Sequence, residues 1–424
     1  MKNKKFLLGI LLAGLAVRLF LLVYFSEKPS FFLDDDSPGY LQLAENIKQG
    51  NGFSWESAAP YTPNSFRTPG YPFFLLLHRA ITGNYRSALV TQILLVVATA
   101  YLIFLLAKNF GGYLWGTVAV GVFLFMPFSV MVSVRYLTQS LFVFSLLGVV
   151  WVWLQFLKTD HHRYLWITVV LLPTLALIRP IAFYVYLPFL VGYLWYRYRA
   201  DQKINWTRFL IIAVLMVAVF FMVLSPWLIR NWFLFGHFSL ASIPSYQLYF
   251  YDTPAVYAHN HGLSYAEARQ FLEKDIEKYF RVARFEDYMT FEVSGVLADR
   301  AWHYLLESWP GLLITRAVLF LKFFVRDGIR YWGEFGLGGF LLELGALVER
   351  GVLSLLGLGT ALFTWRVLRR RDFVSGAGGF LMILIAYFAL LTGAVASAGL
   401  RFPVEPLIIL VGLFGLTTLK SFKT

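Results

Sequence analysis

The sequence predicts an all-α polytopic membrane protein with about ten transmembrane helices and two long extracytoplasmic loops that carry short amphipathic helices. Hydrophobic residues make up 58% of the 424 residues and charged residues only 14%, with a mean hydropathy of +0.64. Soluble domains carry about 25% charged residues, so this chain has too few to cover a surface in water. Apolar runs near the bilayer-crossing length of about 20 residues recur along it. We therefore expect one membrane-embedded domain over residues 1–424.

Ten apolar runs define the predicted spans. The first run continues to Tyr24 without a clear small-residue cleavage site, so we expect a retained membrane anchor rather than a signal peptide. The fifth and sixth runs are short and meet at Arg179-Pro180, so they could form one broken unit and change the count by one or two. The predicted spans cover residues 6–25, 86–107, 112–134, 138–157, 164–178, 181–197, 208–229, 342–366, 373–396 and 402–419.

Basic residues predict the orientation of the chain, because cytoplasmic loops carry an excess of lysine and arginine. Ten crossings place both termini in the cytoplasm and the long polar segments 26–85 and 230–341 on the extracytoplasmic side. This distribution accounts for the net charge of +13 without a nucleic-acid partner. The residues assigned to cytoplasmic ends are Lys2, Lys4, Lys5, Lys108, Lys158, Arg163, Arg197, Arg199, Lys203, Arg208, Arg366, Arg369, Arg370, Arg371, Lys420 and Lys423.

Two absences from the sequence exclude or disfavour whole classes of function. The chain has no cysteine, which excludes disulfides, thiol catalysis and thiolate metal sites. The predicted spans hold almost no acidic residue, since Glu343, Glu349 and Glu405 fall near span ends or just inside them. Proton-coupled transporters usually keep an acidic group at mid-membrane, so the pattern counts against that class.

Three consecutive aspartates, Asp34, Asp35 and Asp36, directly follow the first predicted span. Ser37 is the expected N-cap of a short helix that ends before Gly50. One acidic residue would suffice to favour a helix N-terminus, and three carboxylates repel one another. Two interpretations therefore stand side by side. The triplet either stabilises the helix start, or provides a general base or oxygen ligands for a divalent cation such as Mg²⁺ or Mn²⁺.

The second long loop has helical patterns of its own. Ser264 and Glu267 have the spacing of a capping box, which predicts a helix beginning there. Residues 311–326 mix leucine and phenylalanine with three basic residues. We expect this stretch to lie as a helix in the outer membrane interface.

Four arginines lie at predicted outer ends of helices, where the orientation rule expects few basic residues, and a fifth lies on the same side in the first long segment. An arginine near the apolar boundary costs a few kcal/mol unless it is paired or reaches water. Snorkelling or contact with lipid headgroups would explain any one of them. A cluster would suit the phosphate of a lipid, since a guanidinium binds phosphate through two parallel hydrogen bonds. These residues are Arg67, Arg135, Arg179, Arg230 and Arg401.

Several short motifs follow one another in a family-like order. Asp36 precedes Tyr40 by four residues, and the later motifs are RTPGYP at 67–72, LIRP at 177–180, PWLIRNWFLFG at 226–236 and RFPVEP at 401–406. In this order the chain resembles the GT-C superfamily of membrane glycosyltransferases. The resemblance is greatest to family 39, in its bacterial protein-mannosyltransferase-like and aminoarabinose-transferase-like branch. It departs at Thr138-Gln139, where many members have a second carboxylate.

The resemblance implies inverting transfer of a sugar from a polyprenyl-phosphate donor to an extracytoplasmic glycan, lipid or protein. By resemblance, Asp36 is the catalytic base, the five arginines bind the donor phosphate, and Tyr40 and Tyr71 belong to the substrate loop. The implied location is a bacterial inner (plasma) membrane. This branch is not uniformly metal-dependent, so a divalent cation on Asp34, Asp35 and Asp36 is left open.

Two alternatives remain beside this interpretation. One is a polymerase or ligase of lipid-linked glycans, and the other is a flippase or transporter of lipid-linked sugars. A transferase should hold its acidic cluster at the outer boundary facing a cavity. A transporter should hold it along a central path.

Overall fold

The computed structural model describes residues 2–108, 110, 112–200, 203–280, 285–336, 338–392 and 398–418. These residues form helices and no strand, which confirms the all-α prediction. Short 3₁₀ or π segments interrupt them. The helices are α1 (Lys2–Tyr24), α2 (Ser37–Lys48), α3 (Gly70–Thr82), α4 (Arg86–Ala107), α5 (Gly112–Phe125), α6 (Pro127–Ser133), α7 (Gln139–Thr159), α8 (His162–Ile178), α9 (Tyr186–Arg199), α10 (Trp206–Phe235), α11 (Ile243–Gln247), α12 (Thr253–His261), α13 (Tyr265–Ile276), α14 (Phe291–Glu307), α15 (Trp309–Val325), α16 (Gly339–Arg369), α17 (Phe373–Leu391), α18 (Ala398–Arg401) and α19 (Glu405–Thr418).

Five helices of the described chain, α1, α4, α7, α10 and α17, are long and apolar enough to cross a membrane alone. The number becomes seven if the bent pairs α5–α6 and α14–α15 each count as one span. The remaining predicted spans coincide with α8, α9, α16 and α19, which pack into the same bundle. The multi-pass architecture is therefore confirmed, and the number ten stays a prediction. Residues 393–396 and 419, at the ends of two predicted spans, lie outside the described residues.

The predicted span 112–134 is broken. Met126 has an extended ψ of 130°, Pro127 starts the next helix, and α5 and α6 meet at 61°. Proline removes a helical donor and disfavours helical geometry in the residue before it. Arg18 of α1, which is fully buried, donates to the Leu124 carbonyl at 3.0 Å and to Ser129 Oγ at 3.0 Å. The arginine thus satisfies a carbonyl at the break, a role that its position in an apolar run does not reveal.

The chain is also interrupted at Arg179-Pro180, as the sequence predicts. Arg179 adopts an extended conformation with φ of −143°, and a 3₁₀ turn, Pro180–Ala182, leads to α9. The residue before a proline avoids helical geometry. The break leaves the Arg179 side chain at the C-terminal end of α8, where a helix dipole favours positive charge.

Contacts between loops show which connections share an end of the bundle. At the start of α10, Arg208 forms two 2.5 Å hydrogen bonds with Asp160 of the α7–α8 connection. At its far end, Arg230 donates to the Asn64 carbonyl of the first long segment at 3.2 Å. The 30 residues of α10 span about 45 Å, so these contacts lie at opposite ends of the bundle. Both long polar segments therefore gather at one end. Lys420 and Lys423 lie outside the described residues.

Helices α11 to α14 of the second long segment build a small core of their own. The capping box is confirmed: Ser264 Oγ accepts from the Glu267 amide at 3.2 Å, and the Glu267 carboxylate accepts from the Ser264 amide at 2.8 Å. The first long segment contributes Phe66 to this core. The buried residues are Phe66, Tyr246, Tyr249, Phe250, Leu272, Ile276, Tyr288, Val293, Leu297 and Ala301.

Helix α15 turns inward from this small core. It makes an angle of 98° with α14 and presents an exposed apolar face that includes Leu313 and Leu321. Its first turn contacts α12 through Asn260, which donates to the Ser308 carbonyl at 3.3 Å. Its last turn reaches buried Arg401, which donates to the Phe323 carbonyl at 3.4 Å. The C-terminal end of the helix is thus anchored to the bundle through Arg401, and its place in the outer membrane interface stays a prediction.

Charged side chains hold the segment that follows α15 in place. We call the five charged residues involved the clamp; they are Asp327, Glu349, Arg350, Arg401 and Glu405. The Glu349 carboxylate accepts from the Ile329 amide at 2.9 Å, and Arg350 Nε donates to Asp327 at 2.7 Å. Glu349 is 3% exposed, ten residues into α16. The expectation that Glu349 lies near a span end or just inside it stays a prediction. Its carboxylate holds a bend in the backbone, which is a structural use of a buried acid.

Arg401 and Glu405 complete the clamp. Both side chains are fully buried, and Arg401 Nε lies 3.1 Å from Glu405 Oε2. Arg401 Nη1 also donates to the Arg326 carbonyl at 2.5 Å. A buried charge without its partner is costly, so each of the two residues requires the other.

We predict that Arg401→Leu alone, or Glu405→Leu alone, lowers the free energy of unfolding by about 3–5 kcal/mol. The double variant should lose less than the sum of the two, because it leaves no unpaired charge. Thermal unfolding in detergent measures all three. Additive losses would contradict a coupled ion pair.

Candidate active site

Helix α2, at the end of the bundle where the two long polar segments gather, positions Asp36. Helix α2 begins at Ser37, and Asp36 is its N-cap in a helical conformation without a side-chain capping bond. The expectation that Ser37 caps the helix is therefore wrong by one residue. Ser37 Oγ instead accepts from the Asp34 amide at 2.9 Å and donates to the Tyr136 carbonyl at 2.9 Å. The Asp36 carboxylate is not used for capping and stays half exposed at 50%.

Asp36 pairs with Arg67 from the proline-rich end of the first long segment. Arg67 Nη2 lies 2.5 Å from Asp36 Oδ1, and Arg67 Nη1 donates to the Tyr40 hydroxyl at 3.3 Å. The guanidinium lies 4.9 Å from the ring centres of both Tyr40 and Phe66. Nε of Arg67 is buried and has no partner among the described residues. The motif aspartate, tyrosine and arginine therefore form one contiguous group.

Burial and charge act differently on these groups. Burial raises the pKa of the Tyr40 hydroxyl, and the nearby Arg67 only partly opposes it, so the phenol stays protonated. Burial acts to lower the pKa of Arg67, but Tyr40 and Asp36 outweigh it and raise that pKa overall. Arg67 is thus a permanent cation whose charge is already balanced by Asp36.

The backbone of Arg67 is fixed from the side of the second long segment. Ser65 Oγ accepts from the Phe291 amide at 3.2 Å, and the Ser65 carbonyl accepts from the Ser242 amide at 2.9 Å. Phe66 is 4% exposed within the core of α11 to α14. The second loop therefore holds the residues next to Arg67 in place.

The bundle fixes the same segment from the other side. Thr68 Oγ1 donates to the Ile178 carbonyl at 3.2 Å. A Cβ on Gly70 would lie 2.7 Å from the Leu177 carbonyl oxygen, so only glycine permits this approach to the end of α8. The side chain of Asn64 accepts from the Arg67 amide at 3.0 Å. We call residues 64–70 the anchor segment.

Arg179 lies near Asp36, Tyr40 and Arg67 but, unlike Arg67, has no described salt bridge with an acidic residue. It is in electrostatic range of Asp36, Tyr40 and Arg67, and its guanidinium is 5.8 Å from the Phe142 ring. Its Nη1 atom is buried and has no hydrogen-bond partner among the described residues. Burial lowers its pKa, and neighbouring Tyr40 and Asp36 do not offset this. The site therefore holds one cation more than its own residues neutralise.

The other two aspartates do not converge with Asp36. Asp34 Oδ2 lies 2.6 Å from Nη1 of Arg135, a residue 2% exposed. Asp35 is exposed, and its amide donates to the Asp34 side chain at 3.0 Å. The described residues contain no group of three histidine or acidic side chains able to hold a metal ion. The donor set for a divalent cation at the triplet is therefore not assembled, since Asp34 and Asp36 serve different arginines.

Arg230 supports the anchor segment from the end of α10. Its Nη1 donates to the Asn64 carbonyl at 3.2 Å, and its guanidinium lies 4.5 Å from the Trp227 ring. The rings of Phe53 and Phe235 lie at 5.4 and 5.5 Å. This enclosure by three aromatic rings makes Arg230 a support for the segment that carries Arg67.

Two of the predicted site residues lie elsewhere. The described hydrogen bonds of Arg401 all lead to the clamp after α15. Tyr71 is fully buried, and its hydroxyl donates to Gln92 at 2.6 Å. Gln92 in turn donates to the Arg135 carbonyl at 2.7 Å. Tyr71 therefore packs beneath Tyr40 and stabilises the scaffold, in contrast to its expected place at a substrate surface.

Sequence reasoning did not single out Asn64, Ser65 and Phe66, which hold Arg67 in place. Asparagine and serine side chains often form hydrogen bonds with nearby backbone groups. The residue types of Asn64 and Ser65 were therefore the one signal in the sequence that they fix the chain near Arg67. The partners of Ser65 in the second long segment are 177 and 226 residues away, and that of Asn64 is 166 residues away. Local patterns therefore could not identify the contacts.

Comparisons with known proteins bear on the fold. No family model matches the sequence, and no curated protein matches it. Structures of the oligosaccharyltransferase AglB from Archaeoglobus fulgidus do match. The complex with an inhibitory peptide and a dolichol-phosphate gives a TM-score of 0.58 at 13% identity, over 99% of this chain and 51% of that chain. The apo form gives 0.57 at 14%, over 98% and 51%.

A third structure, tethered to an acceptor peptide containing the NVT sequon, gives a TM-score of 0.55 at 13% identity, over 98% of this chain and 50% of that chain. The chain thus spans about half the length of these neighbours. AglB is a glycosyltransferase of the GT-C type. The structure of this chain accordingly has the membrane-embedded GT-C fold.

Proposed function

We propose that the protein transfers a sugar from a polyprenyl-phosphate donor to an extracytoplasmic acceptor. The observation that carries the proposal is the buried, unpartnered Nη1 of Arg179 beside the Asp36–Arg67 pair. A buried polar group without a hydrogen-bond partner is costly. A bound ligand can offset this cost by accepting the missing hydrogen bond. A guanidinium forms its strongest hydrogen bonds with anions, so the expected ligand is an anion.

The chemistry of the site suits an anion such as a phosphate. Two guanidinium groups, from Arg67 and Arg179, both interact with Tyr40 and offer donors that match phosphate oxygens. The leaving phosphate of a sugar transfer gains negative charge in the transition state, and preorganised cations stabilise that charge. We assign binding of the donor phosphate to these two arginines. Arg401 is not assigned to the phosphate, because its described hydrogen bonds go to Glu405, Phe323 and Arg326.

The location favours a lipid-linked donor. The site lies at the end of the bundle where α1 and α8 end, so a lipid tail can stay among the helices while its phosphate reaches the arginines. The structural neighbour bound to a dolichol-phosphate and an inhibitory peptide is compatible with a lipid phosphate and an acceptor meeting in this fold. We propose the same two classes of partner here, with glycan, lipid or protein as acceptor.

Asp36 is the proposed general base. Its half-exposed carboxylate would take the proton from the acceptor hydroxyl or amine as that atom attacks the anomeric carbon. The bond from carbon to the phosphate oxygen breaks, polyprenyl phosphate leaves with the electron pair, and the configuration inverts. We derive no step through a metal, because the described carboxylates do not form a ligand set.

The same geometry is compatible with a donor that carries a longer glycan, as in a polymerase or ligase of lipid-linked glycans. We infer a place in the bacterial inner membrane, with the site on the extracytoplasmic face and family 39 as the branch. The transporter alternative is disfavoured, because the buried acids Glu349 and Glu405 bond to the clamp after α15.

We predict that Asp36→Asn lowers sugar transfer by about 10²–10⁴-fold, because the proton acceptor is lost while the side-chain volume is kept. Release of polyprenyl phosphate from a panel of polyprenyl-phosphate sugars, with a membrane extract as acceptor, measures it. Asp35→Asn is the matched control, since it removes the adjacent exposed charge. Normal turnover by Asp36→Asn would refute the assignment.

We predict that Arg179→Met weakens binding of polyprenyl phosphate about ten- to hundredfold, as loss of a charge-assisted hydrogen bond implies. The ligand-free variant should melt at the same or a higher temperature, because it removes a buried charge that has no partner. Arg86→Met, an exposed arginine at the same end of the bundle, is the control. A destabilised variant with unchanged lipid binding would show that Arg179 is structural.

A further inference from the structure

The Asp36–Arg67 pair has a consequence for the order of events at the site, and this inference rests on the proposed function. A guanidinium has two edges that can hold a phosphate through two parallel hydrogen bonds: Nε with Nη2, and Nη1 with Nη2. Nη2 belongs to both edges. In Arg67 this nitrogen lies 2.5 Å from Asp36 Oδ1. A phosphate that engages either edge of Arg67 therefore shares Nη2 with the carboxylate of Asp36, and the two anions repel each other.

Arg67 itself has little freedom to turn away. Its side chain is 12% exposed and lies against the rings of Tyr40 and Phe66, while the anchor segment fixes its backbone. Its Nε is buried and has no hydrogen-bond partner among the described residues. Asp36 is half exposed and has no side-chain capping bond to keep it in place. The partner that yields is therefore Asp36.

We propose that the donor phosphate and Asp36 compete for Arg67, so that donor binding releases the Asp36 carboxylate. Without a donor, Arg67 neutralises Asp36 and occupies its Oδ1, so that this oxygen is not available to a proton of the acceptor. When phosphate takes Nη2, the carboxylate turns toward the acceptor as a free base. The site is thus ready for proton transfer only when a donor is loaded.

The competition predicts tighter lipid binding by a variant that lacks the carboxylate. Asp36→Asn should bind polyprenyl phosphate about fivefold more tightly than the wild type, the gain expected from removing one partly exposed ion pair. The probe is polyprenyl phosphate without sugar, titrated into the purified protein in lipid nanodiscs. Asp35→Asn removes the same charge one residue away, and its affinity should stay at the wild-type value.

A double-variant cycle distinguishes competition between Asp36 and the phosphate for Arg67 from a general effect of removing one negative charge near the site. In an Arg67→Gln background, Asp36→Asn should no longer increase the affinity for polyprenyl phosphate. Equal gains in Asp35→Asn and Asp36→Asn, or no gain in Asp36→Asn, would overturn the competition and leave the proposed function standing. Failure of the wild type to bind polyprenyl phosphate would overturn the proposed function itself. The comparison of the two aspartate variants needs no Arg67 variant, so it decides the question even where Arg67→Gln fails to fold.

Discussion

The position of one arginine depends on contacts from three directions. Arg67 faces Asp36 because the anchor segment is bonded to the second long segment, to the end of α8 and to Arg230 on α10. Each contact is modest, and a single neutral hydrogen bond contributes only about 1 kcal/mol to stability. Together they close a loop between parts of the chain that are far apart in sequence. The position of the Arg67 guanidinium therefore depends on all the segments that meet at this end of the bundle.

This constraint explains why the five arginines, which share one local signal, have different environments. Arg135 pairs with Asp34, Arg401 with Glu405, and Arg230 is enclosed by aromatic rings. Arg67 pairs with Asp36, and Arg179 keeps a buried donor without a partner. A sequence shows that an arginine lies near a helix end. It does not show which acid folds against it, because that depends on the path of distant segments.

Features governed by local chemistry were predictable. The helix break at Arg179-Pro180 and the capping box at Ser264 follow from short patterns. The bend at Met126 was missed, although Pro127 signals it, because the apolar run continues through it. The role of Arg18 and the clamp around Glu349 were missed for another reason. Both depend on carbonyls or amides freed at breaks in other helices.

We propose that the protein binds the phosphate of a lipid through Arg67 and Arg179. The most direct measurement compares the melting temperature of the purified protein with polyprenyl phosphate and with the uncharged polyprenol of the same chain length. The account predicts that only the phosphate stabilises, by about 2.7 kcal/mol at a hundredfold excess over its dissociation constant. Equal stabilisation by the phosphate and the alcohol would contradict it, because the lipid tail alone would then explain binding.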